Sequence, residues 1–130
     1  MTMKKLILPL LFLFTGTILQ AQTKTTFTAK SGDSELDLTL SDMNVTATAN
    51  FSVFKQDMAV SYNVTQQKID YLKLTVKMQP ADIYMTLELG KITGKSIDDV
   101  VKAYQANKGQ GWGVIAKNLG INISRKERVK

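Results

Sequence analysis

Residues 65–104 decide the fold, and they read TQQKIDYLKLTVKMQPADIYMTLELGKITGKSIDDVVKAY. Thr65 and Ser96 are residue types that cap helix N-termini, Pro80 suits the first turn of a helix, and Gly94 breaks the pattern. Between these signals, apolar residues recur at steps of three or four, which is the spacing of one helix face: Ile69, Leu72, Val76; Ile83, Leu87; Ile97, Val100, Val101, Tyr104. Ile92, five residues after Leu87, is a candidate extension of the second set. The stretch therefore predicts three consecutive helices.

The chain on either side predicts further helices. After Gly109 ends the preceding helix, residues 111–113 (GWG) form a tight junction, and residues 114–119 read as a last short helix closed by Gly120. Toward the N-terminus, Phe51, Phe54 and Met58 are spaced at three and four residues, as on a helix face, and the same face continues to Tyr62.

The segment before residue 51 is ambiguous. Leu36, Leu38 and Leu40 alternate with polar residues, and the alternation continues in the opposite phase from Met43 after a slip at Asp42, which indicates a strand with a bulge. Continuity with the helix that follows argues for helix instead. We therefore expect a mainly α domain, a small bundle of four or five short helices, with residues 35–50 as extended structure, a hairpin or a further helix.

The N-terminus has the three-part layout of a secretory signal peptide. Residues 1–5 are basic, residues 6–14 (LILPLLFLF) are apolar, and a polar stretch leads to a cleavage site after Ala21. The apolar run is too short to span a membrane and contains Pro9. We expect a signal peptide at 1–21, a flexible lead-in at 22–34, one globular domain at 35–123 and a basic tail at 124–130. The protein is then exported, to a periplasm or outside the cell.

The composition restricts the chemistry. The chain contains no Cys and no His, which excludes thiol and imidazole catalysis, disulfides, and metal sites with nitrogen or sulfur ligands. No cofactor is expected. An enzyme would have to use carboxylates, Lys, Ser or Tyr, so the rival hypothesis of a carboxylate hydrolase on envelope material needs two converging acids from this set: Asp70, Asp82, Glu88, Asp98, Asp99.

The charge of +6 is unevenly distributed. Residues 31–90 carry four lysines against eight acids, whereas the chain from residue 91 onward carries nine basic residues against three acids. Such asymmetry can steer an anionic partner, or it can let the two parts of one small domain attract each other, and we favour the second interpretation.

Two short motifs resemble chemical sites without meeting their requirements. Residues 93–96 (TGKS) end like a phosphate-binding loop, but the glycine that this motif needs at position 89 is a leucine, so Ser96 is interpreted as a helix cap. Asp98 and Asp99 are adjacent carboxylates, and adjacent helix residues do not converge on one atom. Their negative charge suits a helix N-terminus.

Residues 112–121 (WGVIAKNLGI), followed by Ser124, Arg125 and Lys126, resemble a helix-turn-helix with a basic second helix. The segment is short for a recognition helix, and an exported protein meets no chromosome, which argues against nucleic acid as the partner. The possible interaction surface consists of Lys95, Lys108, Trp112, Lys117, Arg125 and Lys126. For Trp112 we expect burial against Tyr104, Ile115 and Leu119, with an exposed aromatic anchor as the alternative.

The motifs at residues 80–85 (PADIYM), 94–101 (GKSIDDVV) and 107–117 (NKGQGWGVIAK) resemble a family of small secreted bacterial proteins of uncharacterised function. The match covers residues 51–121, and the resemblance implies a helical, exported protein without implying an activity. Relatives often continue past the final Gly-Ile into a Gly-Ser-containing tail, which this chain replaces with Asn122, Ile123, Ser124 and Arg125. The leading hypothesis is a non-catalytic exported interaction or structural module whose partner is an unknown protein or envelope component; anionic-ligand binding is the first alternative.

Overall fold

The structure, a computed structural model, describes residues 27–123, and this part of the chain forms six α-helices and no β-strand. The helices are α1 (Ser34–Ala49), α2 (Phe51–Tyr62), α3 (Gln66–Leu74), α4 (Pro80–Thr93), α5 (Ile97–Ala106) and α6 (Trp112–Asn118). The mainly α fold is confirmed, with six helices where four or five were expected. The expected signal peptide at 1–21 and the basic tail at 124–130 lie outside the described residues.

Helix α4 forms the centre of the bundle. It packs against α1, α2, α3 and α5, while α6 packs on α5. Side chains on all sides of α4 are buried, among them Ile83, Leu87 and Leu89. Between residues 27 and 123, no helix is both long enough and apolar enough to cross a membrane.

The helix ends in the central stretch follow the residues that predicted them. The Thr65 hydroxyl accepts a hydrogen bond from the Lys68 N–H at 3.0 Å, and the Ser96 hydroxyl accepts one from the Asp99 N–H at 3.0 Å. Pro80 is the first residue of α4, and Gly94 ends that helix with a φ of 74°. Because these local signals agree with the apolar spacing, α3, α4 and α5 were predictable from sequence.

The ambiguous segment before residue 51 is a helix, α1. Asp33 caps it, since its carboxylate accepts hydrogen bonds from the N–H groups of Glu35 and Leu36. Leu40, Asn44 and Ala47 form its buried face. Leu38, which the strand interpretation would place on the same side as Leu40, is 67% exposed, whereas Leu40 is completely buried. The alternation of leucines therefore did not mark a strand face.

Asn44 fastens α1 to the beginning of α4. Its side-chain amide donates to the Gln79 side-chain oxygen at 2.9 Å, and its oxygen accepts from the Ala81 N–H at 2.7 Å. The Ala81 N–H belongs to the first turn of α4 and has no partner within its own helix. A polar side chain in the middle of α1 thus completes the hydrogen bonding of the central helix.

Residues 27–33 differ from the flexible lead-in that we expected. Ala29, Ser31 and Asp33 are buried. The carbonyl of Ala29 accepts from the Trp112 N–H at 2.8 Å, and that of Lys30 accepts from the Gly113 N–H at 3.0 Å. These bonds join the segment to the first turn of α6, whose N–H groups need partners from outside the helix. The domain therefore starts earlier than residue 35.

Gly113→Ala should destabilise the protein by about 1–3 kcal/mol, because the added methyl group has no room. A Cβ at this position would lie 2.7 Å from the Ser31 carbonyl oxygen and 3.1 Å from that of Lys30, and both are backbone atoms. Urea unfolding measures the change. Val114→Ala, one residue along the same helix, removes part of an exposed side chain and should have little effect. Equal stability of the two variants would contradict the docking of residues 27–33 on α6.

Candidate functional site

Trp112 is a core residue. It is 2% exposed, and its ring stacks on that of Tyr104 with centroids 5.4 Å apart and planes inclined by 25°. Ile115, one turn further along α6, is buried beside it in the same core. The expectation of burial is confirmed, and Trp112 does not belong to an exposed interaction surface.

The indole N–H of Trp112 points to a buried carboxylate, Asp82. Trp112 Nε1 donates to Asp82 Oδ1 at 2.8 Å, and the backbone N–H of Gln79 donates to Oδ2 at 3.2 Å. The Tyr104 ring stacks on the indole, and its hydroxyl interacts electrostatically with this carboxylate. Asp82 therefore joins the beginning of α4 to the beginning of α6.

Burial raises the pKa of Asp82, because the charged carboxylate has lost most of its water. The hydrogen bonds from Trp112, Gln79 and Tyr104 and the positive charge of Lys108 act in the opposite direction. Burial, together with the charge of Asp82 and the hydrogen bond to it, raises the pKa of Tyr104 to about 12. The two groups are thus electrostatically coupled.

An open cleft of about 370 Å³ lies beside this cluster, and its wall includes Lys30, Gln79, Asp82, Tyr104, Lys108 and Trp112. Among residues 27–123, Asp82 is the single carboxylate in that wall. Hydrolysis of a glycosidic bond by two acids needs a second carboxyl group across the cleft. The Asp82 carboxylate can accept a hydrogen bond from a small ligand in the cleft, but it already accepts hydrogen bonds from Trp112 and Gln79.

The coupling of Tyr104 to Asp82 predicts a pH dependence. Because the pKa of Tyr104 is raised in the folded protein to about 12, its contribution to stability is complete below the ordinary tyrosine pKa of about 10 and is lost as the pH rises through the folded value. Phenolate absorbance, taken as the difference between the protein and Tyr104→Phe, should show this late ionisation.

Asp82→Asn should move the ionisation of Tyr104 to lower pH, because it removes the neighbouring negative charge. Glu88→Gln is the matched control. Burial and, as a smaller cause, the hydrogen bond that Glu88 accepts from Tyr62 raise the pKa of Tyr62. The Glu88→Gln substitution should leave the ionisation of Tyr104 unchanged. An unaltered titration of Tyr104 in Asp82→Asn would show that the two groups are not in contact.

Three of the four other acids proposed for a hydrolase have separate structural partners: Asp70, Glu88 and Asp98. Asp70 pairs with Lys55 of α2 at 3.0 Å, and Asp98 pairs with Lys68 of α3 at 2.9 Å. Glu88 lies six residues after Asp82 on α4, about 9 Å along the helix axis. In residues 27–123, no group of three or more Asp or Glu side chains is placed to hold a metal ion. The five acids therefore do not form one site.

The basic residues of the predicted surface are spread over the C-terminal half. Lys95, Lys108 and Lys117 are exposed, in the loop after α4, in the loop before α6 and on α6. Arg125 and Lys126 lie outside the described residues. Residues 121–123 are not helical, so the described part of the chain contains no start of a recognition helix after α6.

The motif at residues 93–96 does not form a phosphate-binding loop. The Thr93 hydroxyl donates to the Leu89 carbonyl within α4, and Ser96 caps α5. Asp98 and Asp99 lie in the first turn of α5, where their charge favours the helix. The helix-cap interpretation of this motif is confirmed.

Four exposed aliphatic side chains lie on the neighbouring helices α1 and α2, and sequence reasoning missed them. Leu38 and Val45 of α1 are 67% and 73% exposed, and Val53 and Val60 of α2 are 51% and 76% exposed. Each pair is spaced by seven residues and so lies on one side of its helix. We call these four residues the α1–α2 face. The seven-residue spacing was visible in the sequence, but it did not show which side was exposed.

A groove of about 520 Å³ separates the two helices. Met43 and Phe54 contribute apolar surface to it, and Asp42 and Asp57 contribute carboxylates. Within residues 27–123 neither carboxylate forms a salt bridge. We call this space the upper groove. It combines apolar contact area with negative charge.

Comparison of the sequence with protein-family models and with curated proteins gave no match, and comparison of the structure with solved structures gave none either.

Proposed function

We propose that the protein is a non-catalytic, exported interaction module that binds a partner protein or envelope component through the α1–α2 face. The observation that carries this proposal is the exposure of four aliphatic side chains on two neighbouring helices. Grouped aliphatic side chains on a surface are typical of interaction sites, whereas single ones are ordinary. The proposal is also supported by the hydrogen bond between Trp112 and Asp82, which occupies both side chains within the domain.

Export is part of this proposal. Its support is the basic and apolar N-terminal segment and the resemblance to a secreted family. Replacing residues 11–14 with charged residues should leave an uncleaved precursor in the cytoplasm, since the export machinery reads the apolar run. Fractionation of cells followed by mass determination distinguishes the two products. Normal processing of the variant would contradict export by this signal.

Proximity labelling tests the interaction itself. A labelling enzyme fused to the exported protein should mark a reproducible set of neighbours, and the double variant Val45→Glu/Val53→Glu should lose it, because two carboxylates would have to be buried at the interface. Leu74→Glu is the matched control, since Leu74 is an exposed aliphatic residue on α3. Circular dichroism establishes that all variants are folded. Identical labelling by all three proteins would refute the α1–α2 face as the binding site.

Binding of an anionic ligand is the alternative. Lys30 and Lys108 line the cleft beside Trp112, which is the observation in its favour, although Asp82 in the same wall repels an anion. A phosphate-rich ligand must be released steeply as the salt concentration rises, whereas contact through aliphatic side chains depends weakly on salt. A salt titration of binding therefore separates the two functions.

A further inference from the structure

A second cleft between α1 and α4 holds the last described residues of the chain. It has a volume of about 270 Å³, and its wall includes Leu36, Tyr84, Glu88, Ile92, Ile121 and Ile123. Ile123 is buried there. We call this space the lower cleft. The described part of the chain therefore ends beside Leu36, in the first turn of α1.

The lower cleft and the upper groove lie along the same side of α1. Leu36 lines the cleft and Met43 lines the groove, and their separation of seven residues places them on one helix face. Tyr84 of α4 lies in the lower cleft and contacts Tyr62 of α2 edge to face, with ring centroids 6.4 Å apart. Tyr84 thus connects the lower cleft with helix α2.

The charges of the two segments are complementary. Helices α1 and α2 carry four acids and one lysine, and that lysine, Lys55, pairs with Asp70 of α3. The segment after Ile123 reads SRKERVK and has four basic residues against one acid. An extended chain advances about 3.3 Å per residue, so Val129 can lie about 20 Å from Ile123. Thr46, in the wall of the upper groove, is about 15 Å beyond Leu36 along the helix axis.

We propose that residues 124–130 of the same chain bind in the upper groove. Their basic side chains pair with Asp42 and Asp57, and Val129 contacts the apolar wall formed by Met43 and Phe54. In this arrangement, the acidic helices and the basic C-terminal segment attract each other within one molecule.

Disulfide trapping tests this contact, because the protein has no cysteine of its own. The pair Val129→Cys and Thr46→Cys places one thiol in the tail and one in the groove. The matched control pairs Val129→Cys with Val45→Cys, a position one residue away that is at the same height on α1 but on its outward side. Both pairs are made in the protein expressed from the full sequence, and the rate of oxidation under mild oxidant is followed by gel mobility and mass.

The groove pair should form an intramolecular disulfide about tenfold faster than the control pair, because binding raises the effective concentration of the tail thiol at the groove. Adding Asp42→Lys and Asp57→Lys should remove this advantage. Equal rates for the two pairs would overturn the proposal, as would a disulfide-linked dimer, which would assign the groove to the tail of a second copy. Disulfide formation requires no partner protein. A negative result in this experiment is therefore distinct from a failure to find a partner of the α1–α2 face.

Discussion

Trp112→Ala is expected to lower the free energy of unfolding by about 3–5 kcal/mol, which is the cost of removing a large aromatic side chain from a core. The substitution leaves a cavity beside Tyr104 and removes the hydrogen bond that the indole donates to Asp82 at 2.8 Å. Domains of this size have about 5–15 kcal/mol of stability in total. Thermal and urea unfolding should therefore show a protein that has lost a large share of its stability.

Trp112→Phe separates the two contributions of the indole. Phenylalanine preserves an aromatic ring beside Tyr104 but cannot donate to Asp82, so its cost should be smaller, about 1–3 kcal/mol for a buried acceptor that loses a donor. If Trp112→Ala unfolded at the same temperature as the original protein, the placement of this residue in the core would be wrong.

Leu40→Ala is expected to destabilise the protein by about 2–5 kcal/mol, because Leu40 is a fully buried leucine and alanine leaves a cavity in its place. Leu38→Ala provides a control that is matched in chemistry and in position on the same helix. Leu38 is 67% exposed, so its truncation should change the stability by no more than about 0.5 kcal/mol. Urea denaturation of the two variants measures the difference directly.

The comparison also tests the part of the chain that the sequence left open. If residues 34–49 formed a strand, Leu38 and Leu40 would lie on the same face and their truncations would have similar effects. A large effect at Leu40 together with a small one at Leu38 requires the helix. Similar losses for both variants would contradict the position of α1.

Local signals in the sequence determined most of the helices. Thr65, Pro80, Gly94 and Ser96 act on the backbone within one turn of their own positions, through hydrogen bonds and restricted dihedral angles. Where such signals agree with the apolar spacing, as between residues 65 and 104, no distant contact is needed to choose between helix and strand. The burial of Trp112 was also expected, because a large aromatic side chain in a small domain is most stable in the core.

Only the tertiary structure decided the role of the segments without strong local signals. Asn44 is a poor helix former in isolation, and its position in α1 is explained by hydrogen bonds to Gln79 and Ala81, more than thirty residues away in the chain. The carbonyl groups of Ala29 and Lys30 accept hydrogen bonds from the first N–H groups of α6, which lie far away in the sequence. The exposure of Leu38 and Val45 depends on which side of α1 packs against α4. Contacts between distant residues determine all three, and the apolar spacing of one segment contains no information about its distant neighbours.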